Sequence, residues 1–142
     1  VKLLWGHKDG GQDSNVRCWG VEIKGAFSVL VLHFAPGSRE AFHSHAFNAV
    51  SWVLSGYLYE RVRMVDMPED YAESWWHPPS RKPVITRRAT FHKVSGGAHG
   101  TWVLTFRGRW HPHWQDGTPE APDTLTHGRR RVRKDMGSYS ND

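Results

Sequence analysis

A chain of 142 residues with 38% hydrophobic and 13% aromatic content is long enough to bury one core and too rich in aromatics to be disordered. No apolar run approaches the roughly 18 residues a membrane span needs, and the single cysteine, Cys18, excludes an internal disulfide and a cysteine-rich zinc site within this stretch. The net charge of +5 is a scattered excess over residues 1–114, because 115–142 balances five Arg/Lys against five Asp/Glu, so nucleic-acid binding is not expected as the main role.

In chain order, residues 1–20, with Gly6, Gly10, Gly11 and Gly20, read as an entry arm and a turn. The apolar run 26–34 is β-branched and ends at Pro36-Gly37, which predicts a strand buried on both faces. Residues 41–45 read as a short strand and 48–55 as another, with Gly56 permitting a tight turn into 57–65. The Pro-, Glu- and Trp-rich stretch 67–79 reads as a loop. Strands follow at 83–89 and 91–94, a turn at Ser95-Gly96-Gly97, and a last clear strand at 101–107.

No segment carries a sustained 3.6-residue apolar period. Many short strands between Gly/Pro turns predict an all-β sandwich or barrel as a single domain over 1–114. From residue 115 the apolar pattern is lost, which predicts an extended or partly disordered basic tail over 115–142, solvated or touching a partner subunit. No secretory signal is visible, and the lone cysteine fits a reducing cytoplasm.

Ten histidines are distributed unevenly. His7, His77, His99, His111, His113 and His127 lie in polar or turn-like stretches and are expected in solvent, and His33 is expected as a hydrogen-bonded core histidine. The pair His43 and His45 differs. Residues two apart on a strand point to one face, so one strand could aim both imidazoles into one cavity. His92, alone on a later strand, could complete a facial set of three ligands with open positions for water or substrate.

Gly37, five residues, His43-x-His45, then Gly56 fall on the spacing of the first motif of the cupin superfamily, and His92 in ATFHKV takes the place of the histidine in its second. Over roughly residues 25–107 the chain resembles a cupin. Arg87 and Ala89 stand where the second motif usually has proline and glycine. The resemblance implies a single-domain double-stranded β-helix, a jelly-roll barrel with the tail appended. It also implies one divalent metal ion and a homodimer. The glutamate of the first motif is missing, since its place falls on Ala49 or Val50. What remains looks like the three-histidine variant of the thiol dioxygenases. Three neutral imidazoles leave the ion its full charge and favour an anionic or thiolate ligand. Iron(II) suits that set best; zinc, nickel, copper or manganese could also occupy it.

Strand parity selects further candidates. If 86–94 were one unbroken strand, Thr86, Arg88 and Thr90 would share the face of His92, and Arg88 could anchor a substrate carboxylate. Arg107 could point inward from the last strand on a similar argument. Glu60 is the nearest downstream carboxylate: a substitute ligand, an orienting partner for an imidazole, a general base, or a surface partner of Arg61 or Arg63. Tyr57 and Tyr59, on the other parity, could supply a hydroxyl donor, and Asn48 a weak oxygen ligand. The expected function is therefore a metal-binding cupin, foremost an iron oxygenase of a small organic anion, with Glu60 or Tyr57 assisting proton transfer. A non-redox lyase or isomerase and a non-catalytic ligand-binding cupin are the alternatives. An accessory role on nucleic acid through the 129–134 basic run is a remoter one.

Overall fold

A computed structural model of the chain describes residues 1–9, 14–38, 44–63 and 72–111, and beyond these the backbone of the strands within 113–141. Ten strands precede residue 108: β1 (Lys2–Lys8), β2 (Val16–Glu22), β3 (Ser28–Phe34), β4 (Gly37–Ser38), β5 (Ala49–Ser55), β6 (Leu58–Arg63), β7 (Ala72–His77), β8 (Val84–Thr86), β9 (His92–Gly96) and β10 (Thr101–Arg107). They pair antiparallel into a six-stranded sheet of order β1-β2-β3-β10-β5-β8 and a four-stranded sheet of order β4-β9-β6-β7. From β3 onward the chain changes sheet repeatedly, as two interleaved Greek keys require, and the described residues contain no helix.

Alternation along each strand decides which side chains enter the space between the sheets. In β10, Thr101, Val103, Thr105 and Arg107 are buried while Trp102 and Phe106 are exposed. In β3, Ser28, Leu30 and Leu32 are the buried set, so this strand has one interior face and not the two expected from its apolar run. Leu4, Val16, Cys18, Leu30, Leu32, Val53, Leu58 and Val103 form the main core. Ala46, Phe47 and Ala49 form a second cluster, with Trp110 packed against it. Leu30 and Val103, each only 1% exposed, are worth roughly 1.5–3 kcal/mol apiece in buried apolar surface.

Four expectations need correction. The entry arm is two strands, β1 and β2, paired with each other and then with β3. Residues 72–77 form a strand, β7, whose Glu73, Trp75 and Trp76 face solvent and leave no alternating apolar signal. The stretch 86–94 is not one strand: β8 ends at Thr86, and Thr90 N–H donates to Arg87 C=O at 3.0 Å across a turn before β9 begins. His45 and Ser44 lie outside any strand, whereas 39–43, and His43 with them, fall outside the described residues.

Within 113–141 the backbone forms an antiparallel meander of β11 (His113–Gly117), β12 (Pro122–Thr126), β13 (Arg130–Asp135) and β14 (Ser138–Asn141), paired in sequence order. No helix of the described residues is long and apolar enough to cross a membrane.

The turn between β5 and β6 depends on Gly56, whose φ of +77° lies in the left-handed region. A Cβ there would meet the Gly100 carbonyl oxygen at 2.5 Å and the Thr101 hydroxyl at 2.8 Å. Gly56→Ala is therefore expected to destabilise the fold by about 1–3 kcal/mol in urea unfolding; an unchanged midpoint would contradict this account of the turn.

Candidate metal centre

The four-stranded sheet builds the site by register. On β6, Val62 is opposite His92 of β9, Glu60 is opposite Val94, and Leu58 is opposite both Gly96 of β9 and His77 of β7. Glu60 thus has His92 on one diagonal and His77 on the other, both on the interior face and within reach of a long side chain. Its Oε2 lies 2.6 Å from His92 Nδ1 and its Oε1 3.0 Å from His77 Nε2. His92, Glu60 and His77 are 6%, 12% and 20% exposed, a gradient running from the interior toward the rim.

Burial pushes the Glu60 carboxyl up, but hydrogen bonding and charge from His92, and then from His77, outweigh it and hold it below its ordinary value of 4.5. An ionised carboxylate accepts only, so His92 Nδ1 carries the proton and donates it. The lone pair of His92 is left on Nε2, facing away from Glu60.

That Nε2 lies 3.4 Å from His45 Nε2, with the rings nearly perpendicular at 77°. Two imidazole nitrogens on one tetrahedral ion at about 2.0–2.1 Å are themselves about 3.3–3.4 Å apart, so this pair fits a shared divalent ion. Without an ion, a proton on His45 Nε2 bridges the same gap. His45 is placed by its backbone: its N–H donates to Arg88 C=O at 3.3 Å, and Arg88 N–H donates to Asn48 Oδ1 at 2.7 Å. Among the described residues no three His, Cys, Asp or Glu side chains converge as a metal site. The expected third ligand, His43, is outside them.

A cavity of about 130 Å³ adjoins the imidazoles. His45, His92, Glu60 and His77 line it together with Asp9, Phe47, Ala49, Arg107 and Trp110, and aliphatic side chains from both sheets complete its wall. Ser51 donates to Thr105 at 2.8 Å on the same wall. Of Ala49 and Val50, the two positions on which the motif's glutamate would fall, Ala49 is buried and lines the cavity.

The structure separates the remaining candidates. Glu60 faces inward and is not a surface partner of Arg61 or Arg63. Arg88 is corrected: because the strand breaks at Thr86, it lies in a turn, does not line the cavity, and touches the site only through its backbone. Tyr57 is corrected as well. It is 37% exposed, lies outside the cavity, and its ring stands 5.2 Å from that of Trp76. Tyr59 is also outside and donates to Ser74. Asn48 spends its side-chain oxygen on Arg88 and is not directed at the imidazoles. His77, expected in solvent, is at the site. The signal for it was the alternation of Leu58 and Glu60 with a paired strand, which is invisible until β7 is recognised as one. Arg107 does point inward, where Asp9 receives it through Nη1–Oδ1 at 2.9 Å and Nη2–Oδ2 at 2.6 Å. Cys18 is inert: burial, then the nearby Asp9 carboxylate, pushes its thiol up to about 11.

No family model matches the chain, and no curated protein matches it. Solved structures do. The cupin domain of Cnp3 from Schizosaccharomyces pombe superposes with a TM-score of 0.53 at 10% identity, over 70% of this chain and 65% of that one. The chain has the cupin fold. Oxalate decarboxylase from Lactobacillus farciminis matches with a TM-score of 0.55 at 15% identity, over 80% of this chain and 32% of its own. Fe(II)-HppE with an alternative substrate gives 0.54 at 11% identity, over 73% and 54%. The chain spans about a third of the decarboxylase and half of HppE. At these identities the likeness is one of fold, and the double-stranded jelly roll expected from the sequence is what the sheets form.

Because the folded Glu60 carboxyl titrates below its unfolded value, it contributes stability that is complete above the ordinary carboxylate range and is lost as pH falls through the depressed folded value. Glu60→Gln is expected to cost about 1.5–3 kcal/mol near neutral pH, the usual worth of a hydrogen bond to a charged group. In paired thermal melts the gap to wild type should close on acidification. A gap that persists or widens in acid would show that Glu60 is not the ionised partner of His92.

Proposed function

We propose that this chain is a metal-binding cupin enzyme that oxidises a small organic anion, with His45, His92 and His43 as ligands of one divalent ion, foremost iron(II). The observation that carries this reading is the facing pair of Nε2 atoms 3.4 Å apart, one of them fixed in its tautomer by Glu60. Histidine ligands are characteristically oriented in this way, by a carboxylate on the far ring nitrogen. HppE, which shares the fold, has a structure with Fe(II), and this supports iron over the other candidates.

Bound iron(II) would supply dioxygen chemistry at its open positions. The chain's own residues do the rest. Glu60 keeps the proton on His92 Nδ1 and so keeps Nε2 a donor of electrons. His77, partly exposed, connects Glu60 to the rim, giving the carboxylate a second proton-bearing partner at Oε1. Phe47, Leu58, Val94 and Val103 make the cavity wall largely apolar and limit water around the imidazoles. A ligand set without the motif's carboxylate, with Ala49 in its place, leaves the ion more positive and favours an anion.

A second reading, a ligand-binding cupin without turnover, is favoured by one observation: only two imidazoles converge among the described residues. The non-redox lyase or isomerase uses the same residues with an ion that polarises a substrate oxygen. Elemental analysis after anaerobic iron loading is expected to give one ion per chain in wild type. His92→Ala and His45→Ala should each lose at least tenfold in affinity, and zinc loading should abolish oxygen consumption while filling the site. Equal metal content in wild type and His92→Ala would remove the metal centre from this proposal, and full activity with zinc would favour the non-redox reaction.

The same reading takes the chain as a homodimer. The outer face of the six-stranded sheet carries Trp102, Phe106 and Ile85, 40%, 43% and 66% exposed, with Trp19 stacked on Trp102 at 5.4 Å. An apolar outward face of this kind is suited to a second copy. Phe106→Glu is expected to shift sedimentation equilibrium to monomer with the core unaffected; wild type that sediments as a monomer would dismiss the dimer.

A further inference from the structure

We propose that Arg107 is the carboxylate-recognition residue of this cavity and that Asp9 is its exchangeable internal counter-ion, occupying the place of a small carboxylate ligand. The inference deepens the reading of the cavity as the site of a small organic anion and rests on that reading, though not on which metal is held.

Arg107 is the last residue of β10, on the interior parity, and 5% exposed. Its guanidinium forms a two-bonded fork with the Asp9 carboxylate, the geometry in which arginine receives any planar carboxylate. Cζ lies 4.6 Å from the centroid of Phe47, and the His45 ring lies 5.3 Å from the same centroid, so the fork and the imidazole both pack against one aromatic ring. Both Asp9 and Arg107 line the cavity.

A structural ion pair alone does not account for this arrangement. Replacing a buried pair by apolar groups of similar shape is often neutral or stabilising, so its presence inside an apolar cavity is weak evidence for a stability role. The donors also outnumber the acceptors. Arg107 Nε and, from the same cavity wall, Trp110 Nε1 are buried with no hydrogen-bond partner among the described residues. Two orphan N–H groups beside an occupied fork call for acceptor atoms, which a carboxylate ligand brings and an apolar one does not.

Exchange is the step that the geometry allows. Asp9 follows β1 and its side chain is 26% exposed, so it can return to water at less cost than Arg107, which cannot leave. An incoming carboxylate then takes both N–H bonds of the fork, the guanidinium stays compensated, and the number of charge-assisted bonds is unchanged. The cavity size restricts the ligand. An apolar cavity of about 150 Å³ holds benzene, so the roughly 130 Å³ here suits a short carboxylic acid of about six heavy atoms. Its carboxylate lies on Arg107 and its other end meets the imidazoles.

The test uses the full chain stripped of metal with EDTA, with propionate as probe and propionamide as its neutral isostere, read by calorimetric titration and thermal shift. Propionate is expected to bind wild type and propionamide at least tenfold more weakly. Asp9→Asn, which removes the competing charge, should bind propionate at least tenfold tighter than wild type. The double variant D9L/R107M, which removes both charges and is expected to fold, should lose propionate binding. Asp9→Asn binding no tighter than wild type, equal affinity for amide and acid, or a double variant that still binds propionate would each overturn the proposal. Metal content of the same variants is measured separately. Chains that bind iron but not propionate reject the carboxylate site alone, and chains that bind propionate but no metal reject the metal centre alone.

Discussion

The site depends on one buried carboxylate placed between two imidazoles. Glu60 is charged in a largely apolar interior, a position that would cost several kcal/mol for an isolated ion. Its two oxygens are both taken, by His92 at 2.6 Å and His77 at 3.0 Å, and this offsets the desolvation. The consequence is directional. Once Nδ1 of His92 is committed to Glu60, only Nε2 can face the cavity, and it faces His45. On the proposed reading, Ala49 leaves the place of the motif's carboxylate apolar, while Glu60, on the opposite sheet, would act on the ion through the His92 ring. The two arrangements are not equivalent, because a carboxylate acting through the ring would not bring its charge directly to an ion.

The triad follows from strand register and could not have been assembled from spacing alone. The Gly56 turn and the last strand were legible because each has a local cause: a left-handed glycine, and strict alternation over Thr101–Arg107. The inward direction of Arg107 was legible for the same reason. β7 was not, since its outward tryptophans and Glu73 erase the period-two contrast that marks a half-buried strand. With β7 read as a loop, His77 had no face, and Glu60 had no second partner. Arg88 failed on a different point. Parity carries only along an unbroken strand, and the turn at Arg87–Thr90 resets it.

Both sheets contribute a charged device to one cavity, and the two are built on opposite principles. Glu60 is an acceptor satisfied by two histidine donors, and its charge is dispersed over them. Arg107 is a donor whose charge is met by the two-bonded fork to Asp9. Burial opposes its protonated form, but the Asp9 charge and hydrogen bonds outweigh this and raise its value. Phe47 packs against both the His45 ring and the Arg107 guanidinium, and so forms part of the apolar wall that the two ends of the cavity share. On the two proposals above, a ligand that spans the cavity would be polar at both ends and apolar in the middle. That pattern is a statement about substrate class which neither device makes separately.

It also bears on why the N-terminal arm is a strand pair and not a tail. Asp9 reaches the cavity only because β1 is fixed against β2, with the backbone N–H of Asp9 itself donating to Val16 C=O at 2.8 Å. Val16 lines the same cavity two strands away from Arg107. The arm thus carries a carboxylate to the interior from outside the eight strands of the double β-helix. The arm also packs into the main core through Leu4, Val16 and Cys18. Without the arm, Arg107 would lose the Asp9 carboxylate that meets its charge.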